Sequence, residues 1–132
     1  VGAVHAGWRG CAAGIVEKTV REMVRLLGAR PERILAALGP CIGKCCFETD
    51  SDVPEAMRAS APGAGAEPYL ERRGEKWHVD LAGLNRQWLL RAGVAPDHID
   101  VCGLCTACRP DLFWSHRKMG EARGVQAAVI SL

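Results

Sequence analysis

The chain has 132 residues, enough for one domain with a sizeable hydrophobic core, and its 48% hydrophobic and 24% charged content is ordinary for a globular protein. A net charge of +2, with Lys and Arg interspersed among Asp and Glu, implies neither nucleic acid nor an anionic membrane as a partner. No apolar run reaches the roughly 20 residues that span a bilayer, and Val1–Val4 lacks the basic flank of a secretory signal.

In chain order, Val1–Val4 reads as a short buried strand. His5-Ala6-Gly7-Trp8-Arg9-Gly10 follows as a glycine-rich turn, and Cys11–Leu27 as an amphipathic helix. In that helix Ile15, Val16, Val20, Met23, Val24 and Leu27 recur at helical spacing, Gly28 is the expected C-cap and Pro31 a stop. Ile34–Leu38 is the next strand, ended by Gly39-Pro40, with Cys45–Glu48 as another. A short helix is expected over Asp52–Ala59, with Pro54 tolerated in its first turn, then an exposed loop over Ala61–Pro68. Trp77–Leu81 leads into a helix over Leu81–Ala92, closed by Gly93. Ile99–Cys102 and Val125–Ile130 are the last strands, separated by a loop-rich stretch, Cys105–Gly124. Only some strand pairs are separated by a helix. That predicts an α+β fold: a mixed β-sheet with helices packed on it, in one layered domain over residues 1–132. Because Val1 falls inside a predicted strand, the chain is expected to be part of a longer one.

The turn at 5–10 is the chemically richest stretch. Its glycines let backbone approach a ligand, and His5 is a potential metal ligand at a strand end, expected on the floor of a cleft and open to solvent. The plainer alternative is a packed or capping histidine in a strand-to-helix turn. Arg9 is a candidate anion or transition-state contact, the alternative being a brace paired with Glu48 or Asp80. Arg117 is the second candidate for phosphate or carboxylate. His78 and Asp80 share a face if extended; the plainer alternative is that Asp80 caps the next helix while His78 is partly exposed, which is the favoured reading for His78, with the role of Asp80 left open. Trp8, Trp77 and Trp114 could stack on a base, whereas Trp88 sits at core spacing.

Seven cysteines are many for this length. Cys102, Cys105 and Cys108 have C-x2-C-x2-C spacing, and Cys41, Cys45 or Cys46 could complete a four-ligand site. Paired C-x2-C knuckles are lacking, however, so the preferred expectation is free, small, hydrophobic thiols in a reducing cytoplasm, without disulfides and without a cluster. There is no H-E-x-x-H, G-x-S-x-G, Walker A or G-x-G-x-x-G pattern.

Together these segments make the chain resemble the laccase-domain family, variously called multicopper polyphenol oxidase, purine nucleoside phosphorylase and peptidoglycan-editing factor. The matching stretches are His-Ala-Gly-Trp-Arg-Gly at 5–10, Leu-Gly-Pro-Cys-Ile-Gly at 38–43, and His-Val-Asp-Leu at 78–81 with Asn85. Cys-Thr-Ala-Cys at 105–108, Leu-Phe-Trp-Ser-His-Arg at 112–117 and Arg-Gly-Val-Gln-Ala-Ala at 123–128 follow in the same order. The resemblance implies a zinc enzyme that phosphorolyses adenosine, inosine, guanosine and methylthioadenosine and also deaminates adenosine. His5 matches one of three zinc ligands; the other two lie in an N-terminal region of the family with no counterpart here. Zinc from this chain alone is therefore expected to bind weakly at His5, and an inactive fragment is one reading of the chain by itself. Copper is the less favoured metal, because four scattered histidines cannot hold a multicopper cluster. The alternative functions are a Cys–His hydrolase acting on peptidoglycan precursors and a copper-dependent polyphenol oxidase.

Overall fold

The computed structural model describes residues 1–60 and 65–131. The expected first helix opens three residues early and is broken in two. Helix α1 (Trp8–Ala12) ends where Gly14 takes a left-handed conformation, and α2 (Ile15–Leu27) then runs to Gly28, which is also left-handed. Gly28 caps α2 by returning its N–H to Val24, as the sequence led one to expect. Val16 and Val20 enter the core, while Val24 and Leu27 of the same predicted stripe stay exposed.

Strand β1 (Ala36–Leu38) pairs in parallel with β5 (Ile99–Val101). A separate antiparallel sheet has the order β2 (Glu48–Thr49), β4 (Lys76–Val79), β3 (Leu70–Arg73). The α+β class therefore holds, with two small sheets in place of one mixed sheet. β3 is not evident in the sequence, because Leu70 is the only residue it buries. Gly74, at φ 62°, makes the tight turn to β4. The predicted strand at 45–48 is a turn through Cys46, and pairing begins only at Glu48.

Helix α3 (Asp52–Ser60) buries Val53, Pro54 and Met57. Helix α4 (Leu81–Arg91) follows β4 after Asp80, buries Leu81, Leu84, Trp88 and Leu89, and packs on α2, β1 and β5. Asp80 caps α4: its Oδ1 accepts the N–H of Gly83 at 2.9 Å. Gly83 is required for packing, since a Cβ there would lie 2.5 Å from the Tyr69 ring. Cys11, Phe47, Val79 and Val94 complete a core shared by the helices and the antiparallel sheet. A short helix, α5 (His116–Met119), interrupts the expected loop stretch near the C-terminus. The predicted exposed loop Ala61–Pro68 lies partly outside the described residues; within them, Glu67–Tyr69 forms a 3-10 turn.

Two expected strands do not form. Val1–Val4 and Val125–Ile130 are non-regular, with Val1, Val4, Val125, Val129 and Ile130 exposed. A strand exists only with a hydrogen-bonding neighbour, and none of the described strands pairs with either segment.

Candidate functional site

The His5–Gly10 turn is built by its glycines. Gly7 is the N-cap residue of α1, and a Cβ on it would lie 3.1 Å from His5 Nε2, so the missing side chain makes room for the imidazole. A Cβ on Gly10 would press on Ile15 at 3.2 Å and on the His5 carbonyl at 3.4 Å. His5 is exposed, as expected, but it follows non-regular chain, not a strand. Two open surface depressions lie elsewhere, one around Gly28–Ile34 and one over Leu35–Ala37 and Asp97–Asp100.

Arg9 projects from α1 with its guanidinium over the Trp8 ring, 4.3 Å from the centroid. Among the described residues it makes no ion pair. The carboxylates considered as its partners are engaged elsewhere: Glu48 faces His78 at 3.6 Å, and Asp80 caps α4. Arg117 is more constrained. Its Nη1 donates to the Glu48 carbonyl at 2.8 Å and the Cys46 carbonyl at 3.4 Å, and its guanidinium lies over Phe47. It thus braces α5 against the start of β2.

The four histidines occupy separate elements. His78, expected to be partly exposed, is buried on the central strand β4, with Nδ1 2.7 Å from the Lys44 carbonyl. His98 ends a 3-10 turn, and His116 begins α5 and accepts from Arg123 at Nδ1. Among the described residues no imidazole joins His5 in a metal-binding group. Among the described residues His5 therefore stands as a single donor. Trp88 is core, as expected, while Trp114 is half-exposed with Gly124 against its indole.

The thiols behave otherwise than expected. All seven are free, but four of them are gathered: the Sγ atoms of Cys45, Cys46, Cys105 and Cys108 lie within 4.8 Å of one another. The local triad read from the sequence is thereby split, since Cys102 stays outside the group. The parallel pairing of β1 and β5 is the cause. Parallel strands end on the same side of a sheet, so the loops that follow them are neighbours. The pairing continues beyond the strands: Cys102 donates to Leu38 and Thr106 to Cys41, each at 3.0 Å, with a bridge between Cys41 and Cys105. Each loop then closes a tight turn, Phe47 N–H to Gly43 and Arg109 N–H to Cys105. Gly43 lets the turns touch, for its Cβ would lie 3.1 Å from Cys105 Cβ.

Electrostatics set the thiols apart. Burial raises Cys105, but hydrogen bonds from the backbone N–H groups of Gly43, Cys108 and Ala107 and from the Cys45 thiol outweigh it and bring Cys105 down to about 6. Burial pushes Cys11 up to about 12, which leaves it an inert core group. Beside the loop, Glu71 pairs with Arg73 and Lys44, which hold its carboxyl down at about 2.

The family model described as multi-copper polyphenol oxidoreductase laccase matches residues 1–132. The chain belongs to this family. Within it, the chain is 45% identical over 132 residues to a purine nucleoside phosphorylase of Deinococcus radiodurans, all of this chain against 49% of the relative. It is 38% identical over 130 residues to purine nucleoside phosphorylase YlmD of Geobacillus stearothermophilus, 98% of this chain against 47% of the relative. The crystal structure of Bacillus licheniformis hypothetical protein YfiH superposes with a TM-score of 0.83 at 36% identity, over 87% of this chain and 43% of that one. The chain thus spans about half the length of these family members.

Proposed function

We propose that the protein carrying this chain is a cytoplasmic purine nucleoside phosphorylase, with His5 as one ligand of a zinc ion and with Arg9 and Arg117 as anion and substrate contacts. The observation that carries this reading is the identity, over the whole chain, to relatives bearing that name. The geometry of the turn supports it. In phosphorolysis an orthophosphate oxygen bonds to the anomeric carbon of the ribose while the C–N glycosidic bond breaks. The base leaves with the bonding electrons and takes up a proton. Orthophosphate needs a cation with free donors, and Arg9 is exposed, without a carboxylate partner among the described residues, and stacked on Trp8. His5 stands four residues before it, on the same turn. The remaining zinc ligands have to come from outside the described residues. A zinc completed in this way would supply Lewis-acid character or a bound water of lowered pKa, which suits adenosine deamination as a second activity.

The test is turnover by full-length protein with adenosine, inosine, guanosine and methylthioadenosine, the products separated by chromatography. Free base together with ribose 1-phosphate, formed only when phosphate is present, is the expected result. Release of base without phosphate, or no release from any of the four nucleosides, would overturn the reading. Inosine formed from adenosine without phosphate would report the deaminase activity.

A further inference from the structure

We propose that Cys45, Cys46, Cys105 and Cys108 form a four-thiolate site for a single zinc ion, separate from any metal at His5, that clasps the loop after β1 to the loop after β5.

Three observations carry this. The first is distance. Zinc–thiolate bonds of about 2.3 Å in a tetrahedron place the sulfurs roughly 3.8 Å apart. Here Cys46 and Cys108 are 3.4 Å apart at Sγ and Cys45 and Cys108 are 3.6 Å apart, with all four sulfurs inside 4.8 Å. That spacing suits one ion shared by four sulfurs and leaves no room for a multi-iron core. The second is environment. Cys45 and Cys108 are exposed and Cys46 and Cys105 half-buried. They do not fill the core as Cys11 does, so small-hydrophobe packing does not explain them. Their exposure also gives an ion a way in. The third is the surrounding support. The Gly43 N–H donates to Cys105 Sγ at 3.2 Å, the sort of backbone donor that orients and stabilises a metal-bound thiolate. His78 holds the Lys44 carbonyl from below, and Arg117 holds the Cys46 carbonyl from the side. These hold the 43–46 loop, while Thr106 N–H to the Cys41 carbonyl and Arg109 N–H to the Cys105 carbonyl hold the 105–108 loop, so both are positioned before an ion arrives.

The donor set selects the ion. Four sulfurs and no oxygen favour a soft or borderline cation in tetrahedral geometry, and zinc is the non-redox member of that class. Binding deprotonates each thiol that is still protonated, forms four Zn–S bonds, and releases those protons to solvent; nothing is oxidised or reduced. The two ligand pairs are about 60 residues apart, so the clasp closes a long loop of chain and adds to the stability of the fold.

The experiment uses full-length protein prepared under reducing conditions. Metal content is measured by mass spectrometry, and Co(II) replaces zinc so that thiolate-to-cobalt charge transfer can be read in the near ultraviolet. Wild-type protein, His5→Ala and Cys102→Ser should all show the charge-transfer band. Cys105→Ser and Cys108→Ser should lose most of its intensity, together with one equivalent of zinc. In wild-type protein, removal of zinc by a chelator should also release thiols to a disulfide reagent, a readout that needs no folded variant. The proposal is overturned if reduced wild-type protein gives no charge-transfer band, if the band keeps its wild-type intensity in both serine variants, or if the metal recovered with these thiols is copper or iron. Loss of the band in His5→Ala would also overturn it, by assigning the thiolate signal to the other metal. None of these readouts depends on nucleoside turnover.

Discussion

The turn at His5–Gly10 and the thiol pocket at 43–46 and 105–108 both present metal-type donors from glycine-containing loops, but they assemble them differently. At the turn everything is local. Gly7 makes room for the imidazole, α1 carries Arg9 onto Trp8, and the result is one donor and one cation. In the pocket no single segment suffices: two pairs of cysteines about 60 residues apart meet because β1 and β5 run parallel and end side by side. A contiguous motif can thus display a ligand and an adjacent charge, whereas a closed coordination shell drawn from both segments requires the sheet. This is why the four-sulfur group is found within the described residues while His5 stands alone.

The largest effect expected from challenging this contrast is at Arg9. Arg9→Ala should lower phosphorolysis by at least about 100-fold, since a contact to charge in the transition state is commonly worth ~3–4 kcal/mol, with zinc content unchanged. Steady-state rates and metal analysis check it; normal turnover with a lowered melting temperature would make Arg9 a structural brace.

Next is Gly43→Ala, which brings a Cβ to 3.1 Å from Cys105 Cβ and 3.3 Å from Cys45 Sγ. Overpacking of this kind costs about 1–3 kcal/mol. Gly39→Ala, with nothing within 4 Å of its Cβ, is the matched control and should be close to neutral. Equal denaturant midpoints for the two variants would show that the turns are not in tight contact.

Arg117→Lys separates bracing from substrate contact. Losing the bonds to the Glu48 and Cys46 carbonyls should cost ~1 kcal/mol of stability. A fall in turnover beyond that loss of stability is expected from its proposed substrate contact; unchanged turnover would leave Arg117 a brace alone.

Smallest in stability is Gly7→Ala, whose Cβ meets the flexible His5 ring at 3.1 Å. A shift of a few tenths of a kcal/mol is expected there, because the imidazole can turn away. The same turning should weaken zinc binding by the full-length protein, which a competitive chelator titration would detect. Unchanged zinc affinity would mean that Gly7 does not position the ring.

Much of this was legible in sequence. Gly28 was read as a cap, and a cap was one of two readings left open for Asp80, because short polar side chains and glycine have defined places at helix ends; the structure shows both caps. The α3 and α4 patterns and the β1 and β5 runs were read within one or two residues. Other features were not legible. His78 looks like a half-exposed strand residue until Glu48 and Glu71 pair on either side of it and Lys44 closes over it. The C-x2-C-x2-C spacing pointed at Cys102, yet Cys102 is exposed just beyond β5 while Cys45 and Cys46 arrive from the other loop. Cys45 and Cys46 were weighed as residues that could complete such a site, but nothing along one segment says that they, and not Cys41, meet Cys105 and Cys108.

What the sequence by itself determined is the set of local decisions: where helices begin and end, which turn carries His5 and Arg9, and which family the ordered motifs match. These depend on backbone preferences and side-chain spacing within a few residues. What only the tertiary structure decided is which distant groups become neighbours. Strand pairing is a long-range choice. Val1–Val4 and Val125–Ile130 stay irregular without a partner strand, while the parallel union of β1 and β5 brings four thiols within 4.8 Å.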